Sequence, residues 1–324
     1  MKYPKVSIII LNWNQLKETI ECLDTLKKII YPNYEVILVD NGSEGHDADI
    51  LQARYGKELT IIRNNKNYGF TGNNNIGIRY EITNANPDYI LLLNNDTMVD
   101  PDFLTELIKV AEEAPLVGIV GSKTYLYNDP GRFQAVWYKL DMYRGCGYAI
   151  GGGEIDRGQY DSVRSVDAVQ GSCFLIKRTV IDRIGLLAES YFMYAEEYEY
   201  CIRARKAGYK ILYAPMAKIW HKESIRVKPW YKALRRKDQG KISLFIKYIA
   251  TRNFLWCLKE HGTRWQYFSV LLHLFSYYFW RQCAVCMLYY RSPGLLRAYL
   301  VGVKEGLCLK PQCGPVERNT LTIH

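Results

Sequence analysis

Tyr89-Ile-Leu-Leu-Leu-Asn-Asn-Asp-Thr97 is an apolar run that breaks off into two amides and a carboxylate. Tyr89 to Leu93 has no polar alternation, the pattern of a parallel strand covered on both faces. Val6 to Leu11, Val36 to Val39 and Leu59 to Ile62 repeat that pattern, and Val117 to Val120 makes a fifth strand. Helical spacing lies between the runs, in Leu16, Ile20 and Leu23. Asp100 is expected to cap a helix with Pro101 in first position and Phe103, Leu104, Leu107 and Ile108 as its buried stripe. Repeated strand-helix-strand units predict an α/β fold with a Rossmann-like, doubly wound sheet, and ligands in such sheets sit beyond the carboxyl ends of the strands. That rule selects three loops facing one crevice: Asp40 to Ser43, Asn64 to Gly72 and Asn94 to Thr97.

From about Tyr125 to Val163 the pattern weakens, which predicts loops and short strands. Order returns with Ala168 to Ile176, a helix near Thr179 to Ile184, an aromatic strand Tyr191 to Tyr194, and a helix from about Glu196 that stops at Gly208. Past His221 the composition changes, so a domain boundary is expected between about 222 and 240. The expected division is 1–225 for a catalytic domain, with halves 1–122 and 123–225, and 226–324 for a basic linker and helical tail.

A chain of 324 residues, 48% hydrophobic and 23% charged, has the composition of a globular protein rather than a disordered one. Its 27 tyrosines suit sugar stacking and membrane interfaces but also ordinary cores. The net charge of +10 calls for an anionic partner. Lys222, Arg226, Lys228, Lys232, Arg235, Arg236, Lys237 and Lys241 crowd one stretch directly before a hydrophobic tail, which favours an anionic membrane surface over a nucleic acid. A solvated basic face is the plain alternative. From Trp265 to Tyr290 the only charge is Arg281, which makes clean membrane insertion costly. An interfacial or re-entrant helix fits better, with a soluble helical hairpin as its competitor. The nine cysteines, including Cys283 and Cys286, lack zinc-site spacing and read as reduced. Val6 to Leu11 is too short for a signal core, so the expected location is cytoplasmic, at the inner face of the cell membrane.

Three constellations carry chemistry. Asp96 at a strand end suits a hard cation shared with phosphates, although Asn and Asp also make turns. Glu196, Glu197 and Glu199 exceed what helix capping requires. Glu197 can aim at the crevice while Glu199 supports the scaffold by pairing with Arg203 four residues on. His221 after a short apolar stretch is a third candidate, weak when taken alone.

Taken in order, these motifs form a set: Val6-Ser-Ile-Ile-Ile-Leu-Asn-Trp-Asn14, Val39-Asp-Asn-Gly-Ser43, Asn67-Tyr-Gly-Phe-Thr-Gly72 with Asn75 and Gly77, Leu93-Asn-Asn-Asp-Thr97, Gln170-Gly-Ser-Cys-Phe-Leu-Ile-Lys-Arg178, Tyr191-Phe-Met-Tyr-Ala-Glu-Glu-Tyr-Glu199 through Arg203 to Gly208, and Trp220-His221. The set closely resembles the family 2 glycosyltransferases, especially the rhamnosyltransferase-like branch, over about residues 4 to 225. The resemblance implies a GT-A fold and an inverting, metal-dependent sugar transfer in cell-surface polysaccharide synthesis. It implies nucleotide binding by Asn12, Asn14, Asp40, Gly69 and Asn75, and Mg2+ or Mn2+ held by Asp96 and His221. Glu197, or Glu196 sharing the role, would be the general base, with Gly171, Ser172, Glu199 and Arg203 on the acceptor side. Glu197 and Glu199 depart from the family, which usually has aspartate at both positions. The donor implied is a nucleotide sugar, dTDP-rhamnose or a UDP-hexose, and the acceptor a saccharide or lipid-linked glycan. A catalytically silent sugar-nucleotide-binding or scaffold protein of the same fold is the alternative. A nucleotidyltransferase would carry a glycine-rich basic loop where Asn12 to Lys17 stands, and no nucleic-acid-reading motif is present.

Overall fold

The computed structural model describes residues 3–222 and 244–309. Twelve strands run as β1 (Val6–Asn12), β2 (Tyr34–Asp40), β3 (Thr60–Arg63), β4 (Tyr89–Asn94), β5 (Thr97–Val99), β6 (Val117–Leu126), β7 (Asp129–Ala135), β8 (Trp137–Asp141), β9 (Cys146–Ile150), β10 (Arg164–Ser165), β11 (Cys173–Lys177) and β12 (Lys210–His221). Ten α-helices accompany them: α1 (Leu16–Leu26), α2 (Asp47–Tyr55), α3 (Gly69–Asn84), α4 (Phe103–Ala111), α5 (Arg178–Ile184), α6 (Glu196–Lys206), α7 (Leu244–His261), α8 (Arg264–His273), α9 (Phe279–Ala284) and α10 (Pro293–Cys308).

One mixed sheet has the order β10-β12-β6-β11-β4-β1-β2-β3, with β5 added to β12 and β7 to β6. Strands β3, β2, β1 and β4 are parallel, and β11 enters antiparallel between β4 and β6. Alternate residues of one strand feed opposite cores. Val6, Ile8 and Ile10 pack with Leu91, Leu93 and α4 on one face, while Ile9 packs with Ile90, Leu92 and Val180 on the other. Each such side chain contributes about 1.5–3 kcal/mol when fully buried, so the doubly covered sheet is the main source of stability. Leu11 of β1 lies in register with Asn94 of β4, and the chain order reverses there, from β2 and β3 on one side to β4 on the other. That reversal opens the crevice beyond the strand ends.

The structure corrects three local expectations. Helix α4 begins at Phe103, two residues later than a cap at Asp100 would put it. Asp100 instead makes the preceding turn, its carboxylate accepting from the Asp102 N–H at 3.0 Å. The stretch Asn64 to Gly72 is loop only as far as Tyr68, because α3 starts at Gly69. Its Asn73, Asn74 and Asn75 are poor helix formers but are buried, so tertiary packing overrides propensity. Tyr191 to Tyr194 is not a strand. A 3-10 turn, Glu189–Tyr191, leads into Phe192, Tyr194 and Ala195 at φ values of 62°, 68° and 66°. Backbone of that kind costs about 1–3 kcal/mol per residue and persists only where the surroundings hold it.

Helix α7 packs against that turn: Trp256 and Cys257 join Tyr191, Ala195 and Ile202 in one apolar cluster. Tyr299 and Val303 of α10 pack in turn on Leu255 and Leu258 of α7. Helices α8 and α9 continue through π-helical turns at Leu274–Tyr278 and Val285–Tyr289. Among the described residues, no helix is long and apolar enough to cross a membrane. The basic stretch lies outside the described residues beyond Lys222, as does the expected boundary. No disulfide joins the described cysteines, and burial pushes the Cys22 thiol up to about 12.

Candidate functional site

The end of β12 delivers His221 to the end of β4. Antiparallel pairing of β12 with β5 sets His221 opposite Thr97, and the Lys222 N–H donates to the Asp96 carbonyl at 2.9 Å. Nε2 of His221 then stands 2.9 Å from an Asp96 carboxylate oxygen. Nδ1 of His221 lies 2.8 Å from Oε1 of Gln134, an amide oxygen that can only accept, so Nδ1 carries a proton. Nε2 then faces Asp96 and also lies 3.2 Å from the Asn94 amide nitrogen. Two neighbouring ligands of an octahedral Mg2+ at about 2.1 Å stand about 3 Å apart, so the pair fits a hard divalent ion.

The loops after β1 and β2 bring a second group together. Asn12 is buried, and its amide donates to Asp40 at 3.0 Å, Ser43 at 3.1 Å and Asp47 at 3.0 Å. Asp40 also accepts from the Ser43 hydroxyl at 2.6 Å and the Ser43 N–H at 3.2 Å. Asn14 is exposed, in the left-handed region at φ 53°, and its side chain accepts from the Glu44 N–H at 2.8 Å. These contacts fix the loop after β2 against the loop after β1. Gly69 and Asn75 have structural contacts of their own. A Cβ on Gly69 would stand 2.5 Å from the Phe192 ring, so glycine is required for that packing. Both ends of the Asn75 amide are taken, Nδ2 by the Leu187 carbonyl at 2.8 Å and Oδ1 by the Leu187 N–H at 3.0 Å.

The acidic pair opens the first turn of α6. Oε2 of Glu196 and Oε2 of Glu197 are buried without a hydrogen-bond partner, as is the Ser172 hydroxyl. Orphaned polar atoms of this kind are scarce in folded proteins and are usual where a ligand is meant to supply the partner. The segment Gly171 to Ser172 links the pair to the end of β4. The Asn94 N–H donates to the Ser172 carbonyl at 3.1 Å, and a Cβ on Gly171 would lie 3.9 Å from Oε1 of Glu196. Burial pushes Glu197 up to about 7, against the lowering effect of backbone N–H groups. Glu196 is held well above the carboxylate range by burial first and by the charge of Glu197 second. Burial and mutual repulsion thus favour the neutral form in both members and oppose two charges side by side.

Glu199 behaves differently although it lies only two residues on. Burial would raise it, but hydrogen bonds from His261 and Arg203 outweigh burial and hold it below the usual range. Arg203 donates to both its oxygens, at 2.6 and 2.8 Å, and to the carbonyls of Ile184 and Leu186. Glu199, Glu260 and His261 lie close enough together to suggest a metal site. The Arg203 fork and the Tyr191 hydroxyl, 2.8 Å from Glu260, already satisfy it, so it is an ion-paired joint between α6 and α7. A cavity lined by Lys139, Asp141, Arg144, Tyr148 and Gln266 contains none of the candidate residues.

Sequence reading missed Gln134, which orients His221, and Asn253, whose amide reaches the turn before Glu196. Neither sits in a motif or a periodic pattern, so no local signal could have found them.

The sequence model described as "Glycosyltransferase like family 2" matches residues 4–239. The low-salt glycan biosynthesis hexosyltransferase Agl10 of Haloferax volcanii is 28% identical over 208 residues, 64% of this chain and 63% of that protein. The N-acetylglucosaminyl-diphospho-decaprenol L-rhamnosyltransferase of Mycobacterium tuberculosis is 28% identical over 204 residues, 57% of this chain and 66% of that protein. The chain therefore spans less than two thirds of the length of either relative. Among solved structures, S. aureus TarS 1-349 in complex with UDP-GlcNAc superposes with a TM-score of 0.57 at 14% identity, covering 94% of this chain and 80% of that one. At that identity the likeness speaks to the fold.

Proposed function

Since the chain belongs to the glycosyltransferase-like family 2, we propose that it moves a sugar from a nucleotide diphosphate donor to a saccharide or lipid-linked acceptor, inverting the anomeric configuration. What supports this reading is the close pair Asp96 and His221, 2.9 Å apart, together with two glutamates whose buried oxygens have no partner among the described residues.

Asp96 and His221 would hold Mg2+ or Mn2+, whose charge neutralises the departing nucleotide diphosphate. Gln134 fixes the imidazole so that Nε2 faces that position. Asp40, braced by Asn12 and Ser43, is the group for the nucleobase. Glu197 takes the proton of an acceptor hydroxyl as its oxygen bonds to the anomeric carbon from the face opposite the diphosphate. The carbon–oxygen bond to phosphate breaks in the same displacement, and its electron pair leaves with the nucleotide. Glu196, which burial holds well above the carboxylate range, limits the charge beside the base. The donor sugar proposed is rhamnose from dTDP or a UDP-hexose, following the family branch that the motifs resemble.

A panel of nucleotide sugars offered with lipid-linked and free saccharides tests this reading, with the anomeric configuration of the product read by NMR. Transfer with inversion is expected from one donor in the panel, and retention of configuration would exclude single displacement by Glu197.

We propose in addition that the run from α8 to α9 lies on an anionic lipid surface. Trp265, Phe268, Leu272 and Trp280 are 77%, 60%, 63% and 65% exposed on it, with Arg281 adjacent. Exposed aromatic and aliphatic side chains in that number are costly in water and match an interfacial helix. The full chain should sediment with anionic vesicles, and Trp265→Ser with Trp280→Ser should release it. Equal sedimentation of the two proteins would remove this assignment.

A further inference from the structure

Asn253 is wholly buried on α7, more than fifty residues along the chain from the acidic pair. Its side-chain amide nitrogen lies within hydrogen-bond distance of three carbonyls of one turn, Tyr191 at 2.7 Å, Met193 at 2.9 Å and Tyr194 at 2.9 Å, which share its two N–H groups. Its Oδ1 is held by Arg252, at 3.1 Å from Nε and 2.9 Å from Nη2. Arg252 is itself buried, reaches the Ser190 carbonyl at 3.3 Å and stacks over the Trp256 ring at 4.1 Å. The amide is thus aimed before the turn meets it.

The turn needs such a partner. Phe192, Tyr194 and Ala195 all take left-handed backbone angles, which L residues with side chains avoid. Ala195 is the residue from which α6 departs, and it offers no side-chain cap to the helix. The Asn253 amide reaches the Met193 and Tyr194 carbonyls and adds a second contact at the Tyr191 carbonyl, which also accepts from the Met193 N–H at 2.7 Å.

We propose that Asn253 is a positioning residue for Glu196 and Glu197: its amide clamps the left-handed turn from which both carboxylates project. The inference rests on the reading of Glu197 as the base, and it makes the C-terminal helices part of the catalytic apparatus rather than an appendage to it.

The test compares the full-length wild type with Asn253→Ala, Asn253→Ser and Leu255→Ala. Leu255 is buried against α10 on the same helix and touches none of the turn's carbonyls, so it controls for loss of α7 packing. Asn253→Ala should raise amide hydrogen exchange across residues 192–199 by at least ~10-fold. It should lower kcat by ~10- to 100-fold with donor KM unchanged, the effect of displacing a reacting group by about an ångström. Asn253→Ser, which keeps one donor, should fall between and serves if the alanine variant does not fold. Leu255→Ala should lower the melting temperature with neither local change. Unchanged exchange in a folded Asn253 variant, faster exchange with undiminished kcat, or losses in Leu255→Ala matching those in Asn253→Ala would each overturn the proposal. If the wild type transfers no sugar, the functional reading fails by itself, and the exchange measurement still decides whether Asn253 holds the turn.

Discussion

Glu197→Gln is expected to lower transfer by ~100- to 10,000-fold, the usual contribution of a positioned general base, while donor binding survives. Glutamine keeps the shape of the side chain and its place on α6 but cannot take a proton. The pH profile supplies the second half of the test. Burial raises Glu197 to about 7, so below that value the folded enzyme carries it protonated and unable to act as base. The wild-type rate should therefore climb by about tenfold per pH unit up to neutrality and level off above it. That limb should be missing from the residual activity of Glu197→Gln. A variant as active as the wild type, or a wild-type rate flat through neutrality, would withdraw the role from Glu197. Loss in Glu196→Gln with Glu197→Gln intact would move it to the neighbouring residue.

Asp96→Ala is expected to weaken Mn2+ binding in the presence of a nucleoside diphosphate by at least ~100-fold, because removing a direct ligand should cost no less than removing an outer one. Isothermal titration would read the loss, and the same variant should lose metal-stimulated transfer. The fold should tolerate the change. Among the described residues, the Asp96 side chain is hydrogen-bonded only to His221, and its backbone carbonyl keeps its bond to Lys222. A melting temperature close to the wild type would separate ligand loss from unfolding. Transfer that persists in excess chelator, or equal Mn2+ affinity in the two proteins, would dismiss the metal assignment.

The contrast between Glu197 and Glu199 shows how much environment adds to residue type. Both open the same helix, yet one is left with an unpartnered oxygen and raised, while the other is enclosed by Arg203 and His261 and lowered. Spacing alone allowed the Arg203 pair, since residues four apart share a helix face. It could not reveal His261, which arrives from α7 at 3.1 Å.

Several assignments were legible without coordinates because they depend on local pattern. The runs that became β1, β2 and β4 alternate between two buried faces, and continuous apolar sequence of strand length has few other uses. The same pattern placed Asp40 and Asp96 at strand ends, where an α/β sheet binds its ligands. The loop Asn64 to Gly72 ran too far for the reverse reason, since α3 starts at Gly69 and a buried helix rich in asparagine is held by its neighbours and not by its propensity.

What this sequence determined by itself was periodicity, and with it the strands, the helix faces and the carboxylates at their ends. What only the tertiary structure decided was partnership. Asp96 meets His221 across 125 positions, Gln134 meets His221 across 87, and Asn253 meets Tyr191 across 62. A hydrogen bond between distant segments leaves no repeat in either one, because its cost and its gain depend on where the chain returns and not on the residues beside it.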